Sequence, residues 1–131
     1  MKTEPDELDV KPEPIGTDEF LRAYIECALW SSTDDEGEPL DGIYSVDDIA
    51  PETLASMRED CVDFLASNLE DIGIGDWAQA GHDFWLTRNG HGAGFWDGDW
   101  PAEAGRRLTE ASHPYGEVNL YVGDDGLIYI A

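Results

Sequence analysis

The sequence predicts a single α+β domain in the order α-α-β-β-α-β-β, with helices packed on a mainly antiparallel four-stranded sheet. Three observations lead to this class. Two stretches in the first half repeat apolar residues at helical spacing, and two stretches in the second half resemble β-hairpins around turn sequences. A chain of 131 residues also has the length expected for one hydrophobic core.

The N-terminal segment, residues 1–16, alternates acids with prolines and has few large apolar side chains. Burial there is too small to offset the entropy lost on ordering. We therefore expect a flexible acidic segment over residues 1–16 and the domain over residues 17–131. The first helix is predicted at 18–31, with Thr17 as its N-cap and acids in its first turn, near the positive end of the helix dipole.

The second helix follows an acidic loop at residues 32–44. Ser45 and Asp48 have the spacing of a capping box and predict a short helical turn. Pro51 suits the first turn of a long helix over about 51–72. Its apolar stripe comprises Leu54, Met57, Cys61, Phe64, Leu65, Leu69 and Ile72.

The remaining elements are predicted from turn sequences and a proline. Asn89-Gly90 separates two aromatic-rich runs and predicts a hairpin with strands near 82–88 and 93–97. A third helix is predicted from Pro101 to about residue 112. The C-terminus alternates apolar and polar residues on both sides of Asp124-Asp125-Gly126, which predicts a second hairpin.

The charge is unusual for a small domain. Seven Lys and Arg face thirty Asp and Glu, a formal net charge of -23, whereas small soluble domains carry a magnitude of about 2 to 8. Both halves of the chain contribute, so an acidic tail is not the source. A field of this sign disfavours direct binding to nucleic acid or an anionic membrane, and it favours basic partners.

Cysteine usage and hydropathy bear on the compartment. Cys27 and Cys61 both fall on the apolar side of a predicted helix, which predicts buried free thiols. The N-terminus lacks an apolar stretch, and no run reaches the roughly 18 apolar residues of a membrane helix. These features predict a cytoplasmic protein.

The segment from residue 80 to residue 97 holds the chemically suggestive side chains. His82, Asp83, His91 and Asp97 include ordinary metal ligands, but their spacing matches no metal motif. We favour hydrogen bonds that order the hairpin, with Asp97 paired to Arg88. Gly90, Gly92 and Gly94 lack the Lys-Ser/Thr and helix of a phosphate-binding loop. The sequence therefore predicts no metal, no cofactor and, without a catalytic constellation, no enzyme.

Two segments carry a resemblance. They read Ala-Gly-His-Asp-Phe-Trp-Leu-Thr-Arg-Asn-Gly-His-Gly-Ala-Gly-Phe-Trp-Asp at 80–97 and Gly-Glu-Val-Asn-Leu-Tyr-Val-Gly-Asp-Asp-Gly-Leu-Ile-Tyr at 116–129. With residues 44–64, they resemble a family of small, functionally uncharacterised proteins encoded by bacteriophages and prophages. The resemblance covers roughly residues 17–131 and implies no catalytic residues. It implies an accessory role towards a host, such as blocking restriction, CRISPR or nuclease systems.

The acidic face of the second helix is the candidate binding surface. Its carboxylates, one per roughly 5 Å of helix, approach the about 3.4 Å axial spacing of phosphates in a DNA strand. The candidate phosphate surrogates are Glu52, Glu59, Asp60, Asp63 and Glu70, extended by Asp34, Asp35, Glu36 and Glu38. Trp96 and Trp100 are the candidate aromatic anchor; the tryptophans of this region also suit core packing.

Three interpretations of the acidity stay open: nucleic-acid mimicry, binding to another basic partner, and solubility or salt adaptation. Mimicry predicts a host nucleic-acid-binding protein, including a defence effector, as the partner that is inhibited or modulated. The alternative is a binding or structural domain whose charge serves solubility alone. The sequence does not predict the oligomeric state.

Overall fold

The computed structural model describes residues 13–91, 93–96 and 99–131. Most of the predicted flexible segment, residues 1–12, lies outside these ranges, as does Asp97. The helices are α1 (Thr17–Ser31), α2 (Pro51–Ser67), α3 (Leu69–Ile72), α4 (Trp77–Arg88) and α5 (Ala102–Ser112), and the strands are β1 (Leu120–Val122) and β2 (Ile128–Ile130). Short 3₁₀ turns occupy Leu40–Gly42, Val46–Asp48 and His113–Tyr115.

The predicted first helix and the start of the second are confirmed. The N-cap of α1 is Gly16, at φ 93°, and not Thr17, whose hydroxyl donates to the Pro14 carbonyl at 2.7 Å. Ser45 and Asp48 form the predicted capping box, and Pro51 is the first residue of α2. The predicted third helix is α5.

The predicted long helix over 51–72 is interrupted at Asn68. The Asn68 side chain donates to the Phe64 carbonyl at 2.8 Å and so competes with the backbone amides for that acceptor. The chain turns there and resumes as α3, which ends at Ile72 and is capped by Gly73, at φ 78°. The apolar stripe therefore spans two helices.

The four-stranded sheet predicted from the sequence is wrong. The sheet in the described residues has two strands, because the stretch predicted as a hairpin at 82–97 forms α4 over most of its first half. Asn89-Gly90 ends this helix: the Gly90 amide donates to the Thr87 carbonyl and the His91 amide to the Leu86 carbonyl. These two bonds, with Gly90 at φ 70°, are the Schellman motif that closes a helix C-terminus.

Helix α4 is central, with residues 83–88 all buried. Burial on every side removes the one-sided periodicity by which helices are recognised in sequences. Gly81 lets α4 lie directly against α1, because a Cβ at this position would overlap the Phe20 carbonyl oxygen. Phe64 of α2 stacks on Phe84 at 4.1 Å between ring centroids.

The C-terminal hairpin is confirmed. Strands β1 and β2 pair antiparallel, with Leu120 opposite Ile130 and Val122 opposite Ile128. The hairpin lies against the start of α2, where the Ala50 amide donates to the Ile128 carbonyl at 2.9 Å. The hairpin covers one end of the helical core instead of forming a sheet beneath it.

Candidate partner-binding surface

A buried arginine joins four parts of the chain. Arg88, only 5% exposed, donates to the Asp60 carboxylate at 2.8 Å and to the Tyr24 hydroxyl at 3.0 Å. It also donates to the carbonyls of Gly116 at 2.8 Å and Tyr115 at 2.7 Å. The carboxylate of Asp60, a predicted phosphate surrogate, is therefore bonded to a buried arginine instead of being presented to a partner.

The predicted pairing of Arg88 with Asp97 stays a prediction, because Asp97 lies outside the described residues. Among the described residues, Arg88 contacts the carboxylate of Asp60. Next to this pair, Tyr115, whose carbonyl accepts from Arg88, donates its hydroxyl to the Asp63 carboxylate at 2.6 Å. Burial and this neighbouring negative charge raise the pKa of Tyr115, so the phenol stays protonated and donating.

The outer ridge of α2 consists of Glu52, Glu59 and Asp63. All three are exposed, and at 100° per residue they lie within about 40° of one another on the helix. Met57, Cys61 and other buried residues occupy the opposite side. The ridge is thus the part of the predicted acidic face that the structure brings together.

The other predicted acids lie elsewhere. Glu70 is exposed on α3, beyond the break at Asn68. The loop with Asp35, Glu36 and Glu38 follows the C-terminal end of α1, where the Leu40 amide donates to the Ser32 carbonyl. Asp34 accepts hydrogen bonds from the amides of Glu36 and Glu38 and so holds the turn.

The arginines of the chain are all paired with carboxylates. The pairs are Arg22 with Glu26, Arg58 with Glu13 and Asp18, Arg88 with Asp60, Arg106 with Glu110, and Arg107 with Asp71 and Glu103. A hydrogen bond from Arg107 lowers the pKa of Asp71. Positive charge in the described residues is therefore neutralised locally, and the acids of the outer ridge dominate the potential around them.

The two predicted aromatic anchors differ in exposure. Trp96 is 55% exposed, whereas Trp100 is 9% exposed and donates its indole N–H to the Asp83 carboxylate at 2.7 Å. Both line a cleft of about 450 Å³ beside Gly105 of α5. Trp96 is available for contact, and Trp100 belongs largely to the core.

The histidines considered as metal ligands are separated. His82 contacts the buried Asp83 carboxylate through Nδ1 at 3.1 Å, while His91 lines another cleft beside Trp85. Among the described residues, no three His, Cys, Asp or Glu side chains are grouped to hold a metal. The Asp83 carboxylate is instead used by His82, Gln79 and Trp100.

The predicted buried free thiols are confirmed. Burial and the nearby Asp83 charge raise the pKa of Cys27 to about 12, and burial raises the pKa of Cys61. At pH about 8, both groups are then protonated as well as buried, and the thiolate is the reactive form. We expect no reaction of the folded protein with a disulfide reagent, and reaction of both thiols in urea. Rapid modification of one thiol in the folded protein would contradict this prediction.

Sequence reasoning missed a cleft between α1 and α4. It has a volume of about 460 Å³ and is lined by Ala23, Glu26, Cys27, Trp30, Asp41, Ala78, Gln79 and His82. Trp30 is 61% exposed, and its ring centroid is 6.5 Å from that of His82. The signal in the sequence is the row Ala23, Cys27 and Trp30, spaced by four and three residues beside the main apolar stripe.

Comparisons with protein families, curated proteins and solved structures found no match to this chain. No helix in the described part of the chain is long and apolar enough to span a membrane.

Proposed function

We propose that the protein binds a basic, nucleic-acid-binding protein of a host cell and inhibits or modulates it by nucleic-acid mimicry. The outer ridge of α2 presents carboxylates to the groove in which the partner holds phosphates. The proposal places this interaction in the host cytoplasm. It requires no catalysis by this chain, and a defence effector is one partner of the required chemistry.

The local pairing of every arginine is the observation that carries the proposal. Arg58 is the basic residue of α2, and it turns towards Glu13 and Asp18. The outer ridge therefore presents negative charge without a compensating cation on its own helix. A partner that supplies the missing positive charge gains complementarity along the whole ridge.

The spacing within the ridge favours a nucleic-acid groove over other basic surfaces. At about 1.5 Å per residue, Glu52 and Glu59 are separated by about 10.5 Å along the helix, and Glu59 and Asp63 by about 6 Å. Two and three phosphate steps along one DNA strand rise by about 6.8 and 10.2 Å. The three carboxylates can thus replace every second or third phosphate. The resemblance to phage-encoded proteins supports the same conclusion.

Solubility or salt adaptation is the second candidate, and the spread of the charge favours it. Exposed acids also occur far from the ridge in sequence, as in Glu103 of α5 and Asp124 of the hairpin turn. A domain whose acidity serves solubility retains no particular class of protein.

Capture from a bacterial cell extract separates the two candidates. The full-length protein is immobilised, washed, and eluted first with a competing DNA duplex and then with salt. Mimicry predicts that DNA-binding or RNA-binding proteins are released by the duplex and identified by mass spectrometry. Retention of nothing beyond the bare resin would overturn the proposal.

Charge reversal on the ridge tests its contribution. We expect Glu52→Lys with Glu59→Lys to weaken binding of the captured partner by tenfold or more at low salt, and the loss to shrink as salt screens the interaction. The matched control, Glu19→Lys with Glu117→Lys, changes the net charge equally at exposed positions elsewhere. Equal losses in both double variants would show that net charge, and not the ridge, holds the partner.

A further inference from the structure

We infer that the cleft between α1 and α4 is a receptor for an arginine side chain of the protein partner, with Trp30 as its stacking surface and Glu26 and Asp41 as its counter-charges. The inference deepens the proposed function and rests on it for the protein nature of the partner. The chemistry of the cleft can be tested separately.

Exposure of Trp30 is the first argument. A tryptophan that leaves 61% of its surface in water is a large apolar group at a cleft wall, and such groups mark interaction sites more often than other surface residues do. The other exposed tryptophan, Trp96, lies at a different cleft. The face of an indole is also the best aromatic partner for a cation.

The polar lining is the second argument. Two carboxylates, Glu26 and Asp41, line the cleft, and no Lys or Arg of the described residues does. Gln79 also lines the cleft, and because its amide nitrogen donates to the Asp83 carboxylate at 3.0 Å, its amide oxygen is left as a further acceptor. The lining thus offers several acceptors for a cationic donor.

The guanidinium group fits this lining better than an ammonium group does. It is planar, so it stacks on an indole, and its forked N–H groups bond carboxylates and amide oxygens in directions that one ammonium cannot reach. The cleft volume of about 460 Å³ also has room for the aliphatic stem beside Ala23 and Ala78.

Arg22 of the same chain already pairs with Glu26 and competes with an incoming arginine for this carboxylate. Its Nε lies 3.1 Å from the Glu26 carboxylate, and both side chains are more than half exposed. An exposed pair of this spacing contributes little, so an incoming guanidinium can replace it. Removing Arg22 should therefore strengthen binding at the cleft.

Binding is tested on the full-length protein with a blocked Gly-Arg-Gly peptide, followed by nuclear magnetic resonance. We expect the arginine peptide to shift the Trp30 indole and His82 signals. The same peptide with lysine in place of arginine should bind more weakly, and the one with neutral citrulline should cause no shifts. Equal shifts with citrulline, or shifts spread evenly over the acidic surface, would overturn the inference.

Variants locate the site. Trp30→Ala should lower the affinity for the arginine peptide by roughly two- to fivefold. Glu26→Gln and Asp41→Asn should each lower it by up to about fivefold. Arg22→Gln should raise it about twofold. Tyr121→Ala and Glu117→Gln, which remove an exposed aromatic ring and a charge elsewhere, are the controls and should bind as the unmodified protein does. Unchanged affinity in Trp30→Ala would overturn the inference.

The outcomes distinguish the two proposals. If nucleic-acid-binding proteins are captured through the α2 ridge but the arginine peptide leaves the cleft unshifted, the receptor is wrong and mimicry stands. If the peptide binds the cleft but the extract yields no nucleic-acid-binding protein, the mimicry proposal fails and the arginine site remains.

Discussion

Replacing Arg88 with methionine is expected to lower the free energy of unfolding by about 3 kcal/mol, the lower end of the cost of removing one partner from a buried ion pair. The change leaves the Asp60 carboxylate and the Tyr24 hydroxyl without their donor, together with two carbonyls of the 115–116 segment. The loss is at this lower end because a third of the Asp60 side chain, 33%, remains exposed to water. Urea unfolding followed by tryptophan fluorescence measures the change.

Arg106→Met is the matched control for this substitution. Arg106 pairs with Glu110 one turn along α5, and 61% of its side chain is exposed. The loss of such a pair is expected to cost about 0.5 kcal/mol or less. Similar unfolding free energies for the two variants would show that the Arg88 cluster does not hold the fold together.

Gly81→Ala is expected to destabilise the fold by about 3 kcal/mol or more, because the added methyl group meets the Phe20 carbonyl, which belongs to the backbone of α1. A backbone atom cannot move aside as a side chain does, so α1 and α4 must separate, and the aromatic rings between them lose contact. Alanine is the better helix former, by about 1 kcal/mol, and the prediction is that packing outweighs this preference. Thermal and urea unfolding measure the result.

Gly42→Ala serves as its control. Nothing lies within 4 Å of a Cβ at Gly42, and its φ is not positive. The same chemical change there is expected to be neutral or slightly stabilising, by a few tenths of a kcal/mol. If Gly81→Ala unfolds at the same urea concentration as the control, the close approach of the two helices does not limit stability.

The elements predicted correctly from the sequence are those whose signals act within a few residues. The capping box at Ser45, Pro51 at the start of α2 and the Asp-Asp-Gly turn of the C-terminal hairpin each satisfy backbone groups within a few residues. Helix α4 was not predicted because residues 83–88 are buried on every side and because its Asn-Gly ending occurs in both hairpins and helix C-caps. The wrong choice at this dipeptide produced the predicted four-stranded sheet.

The candidate surface was predictable in part for a similar reason. Helical spacing alone places Glu52, Glu59 and Asp63 on one face of α2. It does not reveal that Asp60, one residue further round, meets an arginine 28 positions later in the chain. The cleft at Trp30 depends on α4 lying beside α1, so an incorrect assignment of α4 hides it. Packing between residues far apart in the sequence therefore decides both that Asp60 bonds Arg88 and that Trp30 lines a cleft.

The ending of α4 also bears on the chemical lifetime of the protein. An Asn-Gly sequence deamidates when the backbone nitrogen of the glycine attacks the side-chain amide carbon of the asparagine and closes a succinimide ring. Here the Asn89 amide donates to the Trp85 carbonyl and accepts from the Val118 amide, each at 2.9 Å, while the Gly90 nitrogen donates to the Thr87 carbonyl. Nucleophile and electrophile are both held by other partners, so the fold protects its most rearrangement-prone bond from deamidation.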